Sequence, residues 1–351
     1  MSQSITTIPV QSPVDTKNNF DAIRIVAALV VLYSHHFALT GKMEPAFFGV
    51  HTLGGMAVIV FFVISGYLVA GSWYRDPSPF RFAARRFLRI WPALTFTVII
   101  TIVFLGSSLT NLSPSEYFLH PQTREYVKIL WMKIQYTLPG VFESNPYPRG
   151  VNGSLWTIPI EVRCYIAIFL TGTLLILKRK GVFLTVIALY FIWFLFKKNP
   201  DITGTPHYGS ELSAFFLIGA ALFALEIHWK KHTRNWLISS AVLGTIAWLA
   251  GFQHTSLLIT LPIFIIYAGS RETRLIKSAG AWGDPSYGIY LFAFPIQQTT
   301  IALSLPNFDF WTTFFVSTGS TIALAYISWH AIEKQALKIK PRTPNRGKQE
   351  N

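Results

Sequence analysis

Three groups of ionisable residues stand in or beside apolar stretches, and each has a spacing that suits chemistry. In FDAIRIVAALVVLYSHHFALTG, residues 20–41, Arg24 and His35 are eleven residues apart. At about 3.6 residues per turn that is close to three turns, so both lie on one helix face, about 16 Å apart along the axis. WTIPIEVRCYI places Glu161 near the start of a second apolar run, at a depth matching that of His35 if both runs are helices that begin or end on the same side. FRFAARRFLRIWP sets Arg81, Arg85 and Arg89 at i, i+4 and i+8, with Arg86 beside them. Histidine near neutral pH can take a proton from a hydroxyl, or carry a group itself. A carboxylate can orient an imidazole and stabilise its charged form, and guanidinium groups pair phosphates bidentately. Plainer roles compete with these. Glu161 can pair with Arg163, His36 can pack, and the arginine stripe can be a basic helix anchored at lipid headgroups.

The elements that hold these residues are membrane helices. The chain has 351 residues, 51% hydrophobic and only 13% charged, with mean hydropathy +0.40. An ordinary soluble domain carries about a quarter charged residues. Apolar runs long enough to span recur at 22–39, 53–71, 90–109, 155–177, 182–196, 211–227, 236–252, 255–269, 286–304 and 310–330. The net charge of +14 is concentrated in alternate connections: 22 Lys and Arg on one side against 7 on the other. Such asymmetry marks the cytoplasmic side and speaks against nucleic acid as the partner. The expected fold is therefore all-α and polytopic, with about ten transmembrane helices and both termini cytoplasmic. Residues 1–19 read as a polar cytoplasmic segment, 20–333 as the transmembrane domain, and 334–351 as a basic, disordered cytoplasmic tail. No cleavable signal precedes the first span. The one cysteine, Cys164, reads as a packing residue.

Other stretches carry weaker expectations. Ser65 and Gly66 in FFVISGYL would let a neighbouring helix approach closely. The loop 110–153 is long enough to be functional, and REYVKILWMKIQY within it is amphipathic enough to lie at the interface. Glu211 and Glu226 sit near span ends and read as interfacial. Asp284 and Pro285 read as a helix start, and Gln297 and Gln298 as hydrogen-bonding glue between helices. No Cys/His spacing suggests a metal, and no internal repeat, glycine-rich phosphate loop or nucleophile elbow is present.

Taken in order, these motifs resemble the membrane acyltransferase-3 family, bacterial enzymes that mostly O-acylate cell-surface carbohydrates. The likeness rests on Arg24 to His35, FFVISGYL, ARRFLRIWP, WTIPIEVRCY and SYGIYL, and it covers the length of the chain. Thr157, Ile158 and Cys164 are variants within the fourth motif. After Tyr290 and Leu291 many members have x-histidine-x-proline, where this chain has Phe292, Ala293, Phe294 and Pro295. The chain also ends soon after the tenth run, without the appended hydrolase-like domain of two-domain members. The resemblance implies transfer of an acyl group, most often acetyl, from cytoplasmic coenzyme A to a sugar hydroxyl outside. The acceptor would be an exopolysaccharide, lipopolysaccharide or lipo-oligosaccharide, and the location the bacterial cytoplasmic (inner) membrane. On that reading His35 and Glu161 are catalytic, Arg24, Arg85, Arg86 and Arg89 bind the phosphates of acetyl-CoA, and no metal is needed. The alternative is a transporter or flippase for a lipid-linked glycan, for which intramembrane Arg, His and Glu are equally suited. That rival predicts inverted repeats, which the sequence lacks.

Overall fold

The computed structural model describes residues 18–273 and 283–341. Lys17, Arg274, Lys277, the first seventeen residues and everything beyond 341 lie outside them. Within the described residues the apolar runs fold as ten long helices of 16 to 23 residues. These are α1 (Phe20–Leu39), α2 (Leu53–Arg75), α3 (Pro79–Ile100), α4 (Ile158–Thr173), α5 (Lys180–Lys197), α6 (Tyr208–Ala224), α7 (Thr233–Leu249), α8 (Gln253–Gly269), α9 (Ser286–Leu303) and α10 (Phe310–Ser328). A two-residue hairpin, β1 (Ala46–Phe47) with β2 (His51–Thr52), joins α1 to α2. Among the described residues six helical stretches are long and apolar enough to cross a membrane: Phe20–Leu39, Leu53–Arg75, Pro79–Leu109, Gly153–Thr173, Lys180–Thr203 and Phe310–Lys338. Tyr208–Ala224 and Gln253–Gly269 are shorter apolar helices.

Local chemistry sets the helix starts. Thr52 accepts from the Gly55 N–H at the head of α2, and Ser78 with Pro79 opens α3. α2 and α6 meet where Gly66 faces the Phe216 backbone and Gly219 faces Val63; a Cβ at either glycine would overlap a carbonyl oxygen. The close approach expected at Gly66 is thus present. α1 lies between α2 and α9, α9 pairs with α10, and α7 with α8. α9 is buried on nearly every face, from Ser286 to Ile301. α5 and α7 instead expose Leu189, Ile192, Leu243 and Leu249, as lipid-facing helices do.

Four expectations change. The arginine stretch is not a separate interfacial helix: α3 begins at Pro79, so its arginines occupy the first turns of the same long helix. Residues 334–341 of the expected tail are ordered. α10 continues through a π-helical turn, Trp329–Glu333, into Lys334–Lys338, burying Glu333 and Ala336 against α3. REYVKILWMKIQY forms short turns that bury Tyr126 and Ile129 and ends in left-handed backbone at Met132, φ +62°. Glu211 is not interfacial, for its side chain is only 1% exposed. Gln297 and Gln298 do act as glue. Gln297 donates to the Leu32 carbonyl, and Gln298 to those of Tyr147 and Gly150.

Candidate active site

The first turns of α1, α3 and α9 and the last of α2 converge at one end of the bundle, and the basic residues gather there. Asp284, just before α9, is the organising anion. Its Oδ2 lies 2.8 Å from Arg24 Nη2 and 2.9 Å from Arg89 Nη2, and its Oδ1 accepts from the Ser286 N–H at 3.2 Å. Burial pushes this carboxyl up, but Arg24 and Arg89, helped by Ser286, outweigh it and hold the pKa at about 2. Asp284 is thus both the helix-start residue that the sequence suggests and an ion-pair centre that it does not. A second anion, Asp76, takes Arg81 and Arg85, each at 2.6 Å. The hydrogen bond from Arg81 is the main reason that Asp76 also sits at about 2.

These pairs divide the arginine stripe. A cavity of about 420 Å³ opens among α1, α2, α3, α4 and α9. Arg24, Arg75, Arg86, Arg89 and Lys340 line it, against three carboxylates, Asp21, Asp284 and Glu161. Arg85 does not line it, because Asp76 turns that side chain away. Arg85 therefore stands apart from Arg86 and Arg89 in this fold. Helical neighbours one residue apart diverge by about 100°. Arg75 and Lys340 were legible in sequence only as topology charges.

Further along the cavity stand Ser65, Glu161, Tyr165, Thr157 and Tyr290. Glu161 accepts from Ser65 Oγ at 3.1 Å and from the Tyr165 hydroxyl. The Arg86 guanidinium lies 5.6 Å from the centre of the Tyr165 ring, completing a row from arginine to carboxylate. Glu161 thus spends its hydrogen bonds on Ser65 and Tyr165 and none on His35. The expectation that it orients the imidazole is not what the fold shows; nor is a pair with Arg163, which donates to the Pro159 carbonyl.

His35 sits at the opposite end of α1, half-buried, with Nδ1 3.5 Å from Ser154 Oγ and its ring against Phe294. Phe294 comes from the stretch Phe292 to Pro295 of α9. Glu44, in the loop after α1, accepts from Ser34 Oγ at 2.5 Å, one residue before His35. Ser154 also connects His35 to the cavity. The Tyr290 hydroxyl donates to the Ser154 carbonyl at 2.7 Å and lies 2.6 Å from Thr157 Oγ1. His35 is therefore outside the cavity lining but one residue beyond it. His36 is fully buried, with Nε2 2.9 Å from the Phe310 carbonyl and Nδ1 3.3 Å from Gln297, a structural role. Ser154, Glu44 and Asn152, which donates to the Leu291 carbonyl, had no signal of their own in sequence. They belong to loops whose partners are set only by the fold.

This geometry coincides with a family match. The description "Acyltransferase domain" fits residues 17–330. The chain belongs to this membrane acyltransferase family and is an acyltransferase. It is 32% identical over 333 residues to the O-acetyl transferase of Shigella phage Sf6, covering 91% of this chain and 96% of that protein. It is 25% identical to nodulation protein 10 of Rhizobium leguminosarum bv. viciae, covering 92% and 94%. Peptidoglycan O-acetyltransferase OatA of Listeria monocytogenes is 24% identical over 80% of this chain and 51% of its own. No solved structure matches.

Proposed function

We propose that this protein is a ten-span O-acetyltransferase of a bacterial cytoplasmic membrane, its transmembrane unit running from 20 to 333. It moves acetyl from cytoplasmic acetyl-CoA to a hydroxyl of an extracytoplasmic carbohydrate. The observation that carries this reading is the cavity. It starts among five cations, a lining suited to a polyanion such as the coenzyme's phosphates. It ends at Thr157 and Tyr290, one residue from His35, so a thioester arm laid along it points toward the imidazole. The names of the relatives support O-acetyl transfer, and those acting on peptidoglycan support a carbohydrate acceptor.

In this reading His35 removes the proton from the acceptor hydroxyl as the oxygen attacks the thioester carbonyl. The carbon–sulfur bond breaks, an ester forms, and the thiolate takes a proton as coenzyme A leaves. Glu44 stabilises the imidazolium from its own side, while Glu161 acts inside the cavity with Tyr165 and Arg86. Both termini and the basic end face the cytoplasm, in keeping with the 22 to 7 bias of Lys and Arg. Mass spectrometry of surface glycans from cells with and without the gene tests the function. O-acetyl groups that vanish on deletion and return on complementation are expected; an unchanged glycan would refute it.

Two further results are expected at the donor end. Lys340 lines the cavity, and burial, followed by Arg89 and Arg86, lowers its pKa to about 8. The protonated form attracts phosphate, so acetyl-CoA affinity should fall as pH rises through about 8. Lys340→Arg, charged throughout, should flatten that decline in a binding titration from pH 7 to 9. At Glu161, the isosteric Glu161→Gln keeps the shape and removes the charge. Removing the carboxylate charge beside the reacting thioester should slow turnover about tenfold or more, measured per folded molecule. Wild-type turnover in that variant would remove Glu161 from the chemistry.

A further inference from the structure

Away from the cavity, at the histidine end, three side chains from distant parts of the chain meet. His51 opens β2, Glu211 lies in the first turn of α6, and His254 lies in the first turn of α8. Glu211 Oε1 is 3.1 Å from His51 Nε2 and 2.8 Å from His254 Nδ1, and the three groups' ligand atoms lie within 4.8 Å of one another. The side chains are 5%, 1% and 15% exposed, in the order His51, Glu211, His254. The imidazoles stand edge to face, 74° apart, so that one nitrogen of each converges on the same carboxylate oxygen.

We propose that His51, Glu211 and His254 form a divalent transition-metal site, with Zn²⁺ the ion that suits them best. Two imidazoles and one carboxylate are a common zinc donor set, and the remaining position of a tetrahedron falls to water. Ligand atoms about 2.0–2.2 Å from zinc stand about 3.4 Å apart in a tetrahedron, so on binding the 3.1 and 2.8 Å contacts to Glu211 would open by about 0.3 and 0.6 Å, and the two imidazole nitrogens already lie within 4.8 Å of each other. The surroundings also favour a cation. Asp201 accepts from the backbone N–H of both His254 and Thr255, which offsets the positive end of α8 and adds a carboxylate beside the cluster. The Tyr208 ring is tilted against that of His51, centroids 6.5 Å apart. The ion would tie together the ends of α2, α6 and α8, and α2 carries Ser65 of the cavity. Sequence spacing cannot reveal such a set, because its members come from three separate elements.

The competing arrangement is metal-free, with each imidazole donating a proton to Glu211. Measuring the metal content of the intact protein decides between them. The full chain is purified in nanodiscs with an affinity tag that contains no histidine. Close to one equivalent of zinc per chain is expected by mass spectrometry of the elements. Chelator dialysis should lower the melting temperature and added Zn²⁺ restore it, and Co²⁺ in place of zinc should give the absorption of a tetrahedral site. Glu211→Gln and His254→Ala should lose both the ion and the response to chelator. Metal at background, with a melting temperature indifferent to chelator and Zn²⁺, would overturn the proposal. That titration needs only the wild-type chain, so it decides even where a variant fails to fold.

Discussion

His35→Ala should leave a folded, membrane-inserted protein whose acyl transfer falls about 10²- to 10⁴-fold, the usual worth of a positioned general base. Folding should survive because His35 is half-buried and its neighbours are a single long contact to Ser154 and the Phe294 ring. His36→Ala should behave in the opposite way. It removes a buried ring held by the Phe310 carbonyl and Gln297, costing about 1–3 kcal/mol of stability while activity per folded molecule persists. Melting temperatures and turnover of both purified variants separate the roles. An active His35→Ala protein beside an inactive, fully folded His36→Ala protein would reverse the assignment of the catalytic face.

The second large effect is expected at Arg86. Among the described residues Arg86 lines the cavity with no carboxylate bonded to its guanidinium, as does Arg75, whereas Arg24 and Arg89 share Asp284 and Arg85 is held by Asp76. A guanidinium without a carboxylate partner in a basic cavity is available to an incoming phosphate, and Arg86 stands nearer than Arg75 to the Glu161 row through its contact with the Tyr165 ring. Arg86→Lys keeps the charge, and with it the topology signal, but loses the planar fork. Acetyl-CoA affinity should drop about tenfold or more, corresponding to one charge-assisted contact of about 1.5–3 kcal/mol. Arg85→Lys should leave donor affinity near wild type, because that residue belongs to the Asp76 pair. Equal affinities for wild type and Arg86→Lys in nanodiscs would take Arg86 out of the donor site.

The helices were the legible part. Every apolar run counted in the sequence falls on one of the ten long helices, because hydrophobic length is a local property. The Gly66 approach and the glutamine glue were legible for the same reason: small and amide side chains in apolar helices have few other uses. Side-chain pairing was not legible. Equal depth made a His35–Glu161 contact plausible, yet depth leaves the angle around the bundle undetermined. Glu161 turned to Ser65 and Tyr165, and His35 to Ser154. The i, i+4, i+8 spacing placed Arg81, Arg85 and Arg89 on one stripe, and the stripe was then divided by Asp76 and Asp284. Glu211 looked interfacial by its place near a span end, and only the fold brings His51 and His254 to it.

The most direct test of the central claim is transfer across a membrane. The protein is reconstituted in vesicles with its basic end facing one compartment, and radiolabelled acetyl-CoA is supplied there alone. Glycan extracted from cells lacking the gene is supplied only on the other side, and its O-acetyl content is measured. The account predicts label on glycan hydroxyls with the wild-type protein and none with His35→Ala. Unlabelled glycan with the folded wild-type protein, or glycan carried across unmodified, would contradict it.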